Sequence, residues 1–125
     1  MPISFLVDQR SHVVHTTIVG AVGLVDLSLY VRSLAERDLL SFRQLIDGRQ
    51  GTLLLSPEDT VIFAELMAAL RAKHGRAAVA FVPGDELSHR VADQYRELGA
   101  GMNPRFATFT DIDAAESWLA MEVTR

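Results

Sequence analysis

Residues Ala77–Val82 form an uninterrupted apolar segment, and a proline, a glycine and an aspartate follow it directly. A strand that is apolar at every position, rather than at alternate positions, is buried on both of its faces. Such strands are typical of parallel sheets that helices cover on both sides. This segment therefore predicts an α/β domain rather than an all-helical or purely antiparallel one.

Hydrophobic periodicity predicts further strands and helices around this segment. Ile3–Asp8 and His12–Gly20 alternate as strands do, and the short polar turn between them indicates a hairpin. Gly20 and Gly23 are expected to end the second strand. The remaining elements are predicted as a helix over about residues 23–38, a strand over 42–47, a helix over 56–74, a helix from 85, a strand over 105–109 and a helix from 110.

The predicted order is β-β-α-β-α-β-α-β-α, with about five strands and four helices. Strands that alternate with helices form right-handed parallel crossovers, so only the first strand is free to run antiparallel. No linker or repeat interrupts this pattern. We therefore predict one domain over residues 1–125, built on a mixed, mostly parallel sheet.

Composition excludes several classes of function. The chain has no cysteine, which removes thiol nucleophiles, cysteine-ligated zinc and iron–sulfur clusters. Its formal net charge is −4 and its basic residues are scattered, so nucleic acid is not an expected partner. Because neither a secretory signal nor a membrane-spanning segment is visible, we expect a cytoplasmic protein.

Motifs for nucleotide, phosphate and metal chemistry are absent as well. The sequence contains no GxGxxG after a strand, no GxxxxGK[ST], no GxSxG and no HExxH. Two of its four histidines, His12 and His15, diverge across one predicted strand, and the others fall on separate helices. We therefore predict no metal, no cofactor and no catalytic residue.

The best candidate site combines two positions at which predicted strands and helices meet. Asp47 is expected to end a strand before Gly48 and Arg49, whereas Ser56 is expected to begin a helix with Asp59 in its first turn. Open α/β sheets bind ligands at the carboxyl ends of their strands, which predicts one interaction or anion-binding surface. A simpler interpretation is that Ser56 caps the helix and that Asp47 binds turn amides.

The pattern as a whole rests on four stretches: Val13–Gly20, Leu45–Arg49, Ala77–Val82 and Arg105–Leu119. Together they resemble the SpoIIAA-like group of STAS and Sec14-related domains, small bacterial proteins similar to anti-sigma-factor antagonists. The resemblance covers nearly the whole chain. It implies a β-α superhelical fold, in agreement with the predicted order of elements.

Antagonists of that family carry a phosphorylated Asp-Ser-Ser-Gly motif before the second helix. The corresponding stretch here is Leu55-Ser56-Pro57-Glu58, which lacks the aspartate and the glycine and has proline where the modified serine is expected. The resemblance therefore implies an interaction module without that phosphorylation motif. Glu58 would instead place a permanent negative charge near the start of the helix.

Three functions remain open at this point. The leading one is a non-enzymatic regulatory module that docks a protein partner through the surface formed by Asp47, Arg49, Ser56 and Asp59. The second is a carrier or sensor of a small apolar or lipid-like ligand, which the Sec14 side of the resemblance implies. Its candidate pocket walls are Phe63, Met67, Tyr95 and Trp118.

The third function is a hydrolase that uses Ser56 and Asp47, with His15 or His89 as its base. A homodimer is a separate expectation, because the edge strand Ile3–Asp8 and the last helix offer surfaces for self-association.

Overall fold

A computed structural model describes residues 2–75 and 77–122 of the chain. Its strands and helices follow the predicted order β-β-α-β-α-β-α-β-α. In chain order they are β1 (Ile3–Asp8), β2 (Val13–Val22), α1 (Leu24–Glu36), β3 (Arg43–Leu53), α2 (Pro57–His74), β4 (Val79–Pro83), α3 (Glu86–Glu97), β5 (Phe106–Thr108) and α4 (Ile112–Met121).

The strands form one sheet in the order β1-β2-β3-β4-β5. β1 pairs with β2 in antiparallel orientation, and every later pair is parallel. Each parallel strand therefore lies beside the strand that precedes it in the sequence, and a helix connects the two. This arrangement confirms the predicted mixed sheet and the superhelical path.

The sheet is covered unequally on its two faces. Helices α1, α2 and α3 pack on one face in the larger hydrophobic cluster, which includes Tyr30, Met67 and Phe81. Helix α4 packs on the other face, where Leu119 lies in a smaller cluster with Val82. The strand β4 contributes to both clusters, which explains why its sequence is apolar at every position.

Two predicted strand ends are wrong. β2 continues through Gly20, whose φ is +83°, as far as Val22. β3 continues past Asp47, because its pairing with β2 shifts between Asp47 and Gln50 in a β-bulge. Glycine is typical of turns, which is why the sequence predicts strand ends here, but within a sheet it also allows a bulge and a close approach of neighbouring backbones.

The remaining differences from the predicted bounds are small. α1 and β5 are shorter than expected by one or more residues at each end. His12 lies before β2 rather than in it, with φ at 57°, and its ring stacks on Phe42 at 4.8 Å between centroids. Among the described residues, no helix is both long enough and apolar enough to cross a bilayer.

Candidate functional site

The β3 bulge holds a bidentate ion pair. Arg49 Nε and Nη2 donate to Asp47 Oδ1 and Oδ2, each at 2.9 Å, and the Arg49 backbone N–H donates to Oδ1 at 3.1 Å. These hydrogen bonds hold the pKa of the Asp47 carboxyl below its usual range. The carboxylates of Asp47 and, to a smaller degree, Asp113 raise the pKa of Arg49. Arg49 is exposed and Asp47 is half-buried, and the two charges largely neutralise each other.

The loop after β4 packs directly on the backbone of this bulge. A Cβ at Gly84 would lie 2.5 Å from the carbonyl oxygen of Gly48 and 2.7 Å from that of Arg49. Both oxygens belong to the main chain and have no flexible side chain that could move aside. Because Gly84 has no side chain, the loop after β4 can pack directly against the bulge.

Asp85 then joins that loop to the end of β3. Its carboxylate accepts hydrogen bonds from the Thr52 hydroxyl at 2.5 Å and from the Ser88 N–H at 2.8 Å, and Ser88 Oγ accepts from the Leu53 N–H at 2.9 Å. The Thr52 and Ser88 hydrogen bonds lower the pKa of Asp85. The sequence predicted that Asp85 caps a helix. It did not predict the contacts of Thr52 and Ser88, because these residues lie on different elements and no local pattern links them.

Ser56 and Asp59 form a reciprocal cap at the start of α2. The Asp59 N–H donates to Ser56 Oγ at 3.0 Å, and the Ser56 N–H donates to Asp59 Oδ2 at 3.3 Å. Pro57 occupies the first turn, so the predicted capping role is confirmed. In the described part of the chain, no histidine side chain is hydrogen-bonded to Ser56.

Separate sets of contacts hold the Asp47–Arg49 pair and the Ser56–Asp59 cap. Between Asp47 and Leu53 the chain takes six steps along β3, which corresponds to about 20 Å of extended strand. Within residues 2–75 and 77–122, no hydrogen bond or ion pair joins Asp47 or Arg49 to the Ser56 cap. The continuation of β3 beyond the bulge therefore separates the two sets of contacts along the chain.

A cavity of about 90 Å³ lies between the sheet and helices α1, α2 and α3. Phe63, Met67 and Tyr95, which the sequence suggested as pocket walls, all line it. Trp118 does not, because α4 crosses the opposite face of the sheet, where the Trp118 ring packs on Phe109 at 5.5 Å between centroids. The sequence thus identified three of the four residues on the correct face.

Several polar side chains project into this otherwise apolar space. The hydroxyl oxygens of Thr16 and Tyr30 are 2.5 Å apart, and the Tyr30 hydroxyl donates to Gln44 Oε1 at 3.3 Å. Asn103 Nδ2 donates to the Ala77 carbonyl oxygen at 2.8 Å. These contacts satisfy part of the polar lining, as buried polar groups require.

Arg71 is the charged residue of the cavity lining, and only 4% of its surface is exposed. Its Nη1 donates to the carbonyl oxygens of Leu40 at 2.9 Å and Gly75 at 3.4 Å, whereas its Nε is buried and has no hydrogen-bond partner in residues 2–75 and 77–122. Burial lowers the pKa of Arg71. The sequence analysis did not place Arg71 in the cavity, although its spacing from Met67 indicates this position. Arg71 follows Met67 by four residues, so both lie on the same buried face of α2.

Metal-ligand geometry is not present in the described ranges. Among residues 2–75 and 77–122, no group of three or more histidine, aspartate or glutamate side chains lies in a position to hold a metal ion.

Comparison with known proteins identifies the fold. No protein-family model matches the sequence, and no curated protein matches it significantly. Among solved structures, one match is an uncharacterized DUF3478-family protein with a SpoIIAA-like fold from Shewanella loihica PV-4. It is 25% identical, the match covers 94% of this chain and 91% of that one, and the TM-score is 0.55. The chain therefore has a SpoIIAA-like fold, as the resemblance implied.

Proposed function

We propose that this SpoIIAA-like domain is a non-enzymatic regulatory module that works by binding, with a small organic ligand held in the cavity between the sheet and α1, α2 and α3. The observation that carries the proposal is the cavity itself. Protein interiors are close-packed, and voids larger than a water molecule are few.

The composition of the cavity wall also supports ligand binding. Its walls are mainly aliphatic and aromatic, with a few polar side chains, which is the usual composition of a small-molecule site. By contrast, the hydroxyl of Ser56 is engaged with the backbone of its own helix, which favours a capping role over a nucleophilic one. The geometry thus favours the carrier or sensor hypothesis over the hydrolase.

The test is ligand-observed NMR with a panel of two- to six-carbon alcohols, amides and carboxylates. Val91 lines the cavity and is buried, so Val91→Phe should fill part of the space. Val25→Phe makes the same change on the exposed side of α1, where Val25 is 71% exposed, and serves as its control.

We expect at least one class of solute to bind the wild type and Val25→Phe but not Val91→Phe. The proposal fails if no solute binds the wild type, or if Val91→Phe binds as well as its control does.

A second candidate function is docking of a protein partner at the β3 bulge. The observation that favours this function is the Asp47–Arg49 pair, which lies on a bulge between parallel strands. Bulges between parallel strands are rare, and bulges often redirect side chains. Parallel connections also bring the starts of α2, α3 and α4 to this edge of the sheet. A partner whose contact segment carries an acidic residue for Arg49 and basic residues for the helix starts would fit it. The acidic residues at these helix starts are Glu58, Asp59, Asp85, Glu86, Asp111 and Asp113.

Charge reversal tests the docking surface. Arg49→Glu and Asp59→Lys are compared with the wild type in quantitative affinity capture from extracts of the native host. The control is Arg32→Glu, which lies on the exposed side of α1. We expect one specific protein to bind the wild type and Arg32→Glu and to be depleted with the other two variants. A specific partner that still binds both Arg49→Glu and Asp59→Lys would rule out this surface.

A further inference from the structure

We infer that the cavity is a binding site for a short-chain aliphatic carboxylate, with Arg71 binding the carboxylate and the apolar walls enclosing the carbon chain. This inference rests on the proposed ligand-binding function and adds the chemical class of the ligand. It follows from three features of the cavity: an arginine without a counter-ion among the described residues, side-chain nitrogens without acceptors among those residues, and a limited volume.

Arg71 carries a buried positive charge that the described residues do not neutralise. No aspartate or glutamate in residues 2–75 and 77–122 forms an ion pair with it. A buried ion without a partner costs several kcal/mol, so a retained one indicates that its counter-charge comes from elsewhere. An anionic ligand supplies that charge at the position where it is missing.

The hydrogen bonds of Arg71 orient its free edge. Nη1 donates to the carbonyl oxygens of Leu40 and Gly75, while neither Nε nor Nη2 is hydrogen-bonded to a described residue. The edge formed by Nε and Nη2 is the one that binds a carboxylate in side-on, bidentate geometry. Arg49 uses this same pair of nitrogens on Asp47, at 2.9 Å each.

A second side-chain nitrogen of the lining is also unused. The acceptor oxygen of the Gln44 amide is engaged by Tyr30, whereas its Nε2 has no hydrogen bond to a described residue. Both polar atoms of the Asn103 side chain are used, by the Ala77 carbonyl and the Arg105 N–H. The free nitrogens of Arg71 and Gln44 are donors, so a ligand that presents acceptor oxygens, as a carboxylate does, complements them.

Tyr30 and Tyr95 both lie close to the positive charge of Arg71. Tyr95 lines the cavity from α3, and Tyr30 lines it from α1. Burial raises the pKa of both phenols, and the positive charge of Arg71 opposes that rise in each. Both hydroxyls therefore lie within the field of the guanidinium, and both stay protonated near neutral pH.

The volume limits the length of the carbon chain. A cavity of about 150 Å³ admits benzene, and this one measures about 90 Å³. A chain of three or four carbons is therefore the expected size, packed against apolar side chains such as Phe81 and Val91. Longer acids would require side chains at the wall to move.

The experiment compares butyrate with its neutral isostere butyramide by isothermal titration calorimetry. Arg71→Met removes the charge and keeps a long, unbranched apolar chain, and Arg32→Met makes the same change on the exposed side of α1. We expect the wild type and Arg32→Met to bind butyrate at least tenfold more tightly than butyramide. Arg71→Met should lose at least tenfold in butyrate affinity while its butyramide affinity stays within about twofold.

Arg71 also supports Leu40 and Gly75, so its variant is checked for folding by circular dichroism. A second measurement needs no variant: NMR of the wild type with carbon-13 butyrate should show nuclear Overhauser contacts from the ligand chain to Val91 and Tyr95. The measurement therefore tests the site even if Arg71→Met does not fold.

The outcomes separate this inference from the function on which it rests. If butyramide or butanol binds the wild type as tightly as butyrate does, the cavity holds a neutral ligand and the carboxylate assignment is wrong. Undiminished butyrate binding to folded Arg71→Met, or contacts to residues outside the cavity, would also overturn it. If no solute of the panel binds, ordered water fills the cavity and the ligand-binding function itself fails.

Discussion

Ser56 illustrates how a single residue can satisfy two different sequence patterns. A serine that lies between a strand and the helix after it is typical of an anion-binding or phosphorylation site. It is equally typical of a helix cap. In the structure its Oγ accepts the N–H of Asp59, and its own N–H is bound by the Asp59 carboxylate. The hydroxyl therefore contributes to the stability of α2, whichever other role the surface has.

Replacing Ser56 by alanine should destabilise the fold by about 1 kcal/mol, because the N–H of Asp59 loses its acceptor. Urea denaturation at neutral pH measures the change. Ser117→Ala, on an exposed position of α4, is the control and should change the free energy of unfolding by less than about 0.5 kcal/mol. Equal effects of the two substitutions would show that the cap contributes nothing.

Gly84→Ala should be costly for a different reason. The added Cβ would lie 2.5 Å from the Gly48 carbonyl oxygen, so two backbones must separate. We expect a loss of about 2–4 kcal/mol in the free energy of unfolding. Gly23→Ala is the control, since its nearest atom is 3.9 Å away and its φ of −106° suits any residue. Similar losses in both variants would contradict the close approach at Gly84.

At the level of elements, local chemistry was enough to predict the helices. Proline at the start of α2 and Gly75 at its end identify its bounds, and Asp85 identifies the start of α3. The ends of β2 and β3 were not predictable in the same way. Gly20 and Gly48 are glycines, which are typical of turns, but both lie within paired strands. Whether such a glycine ends a strand depends on the neighbouring strand, which the local sequence does not contain.

The start of α3 should make the stability of the fold depend on pH. Hydrogen bonds from Thr52 and Ser88 lower the pKa of Asp85 in the folded state below the ordinary value of 3.8. The stabilisation is therefore present above about pH 4 and is lost as the pH falls through the lower folded-state pKa.

Asp85→Asn keeps an N-cap acceptor but has no carboxylate to protonate, so its urea midpoint should fall less steeply between pH 5 and pH 2 than that of the wild type. Thr52→Val removes the main hydrogen bond to Asp85 and should reduce the slope in the same direction. If both variants keep the wild-type slope, the carboxylate of Asp85 is not the source of this pH dependence.

The candidate site depends on the arrangement of the whole molecule more than on any motif. The sequence identified Asp47 with Arg49, and Ser56 with Asp59, because the members of each pair are close along the chain. It did not identify Arg71 as a cavity residue, because the chemistry of that site is assembled from three helices and the sheet. For the same reason it placed Trp118 in the wrong layer, since periodicity shows which side of a helix is buried but not against which face of a sheet.

The two layers of the molecule are joined through the central strands. β4 supplies Phe81 to one cluster and Val82 to the other. The Arg43 guanidinium also bridges separate parts of the chain, donating to the carbonyl oxygen of Leu119 on α4 at 2.9 Å and to that of Ser11 in the β1–β2 turn at 2.7 Å. A change in the α4 layer should therefore weaken the whole domain.

Leu119→Ala tests this coupling, since Leu119 is 4% exposed and its truncation should cost about 2–4 kcal/mol. Trp118 fluorescence reports on the α4 layer, whereas tyrosine absorbance reports on Tyr30 and Tyr95 in the opposite layer. If the layers unfold as one unit, both signals should give the same urea midpoint in the wild type and shift together in Leu119→Ala. A Trp118 transition that moves to lower urea while the tyrosine signal stays in place would show that α4 detaches from a sheet that α1, α2 and α3 can stabilise alone.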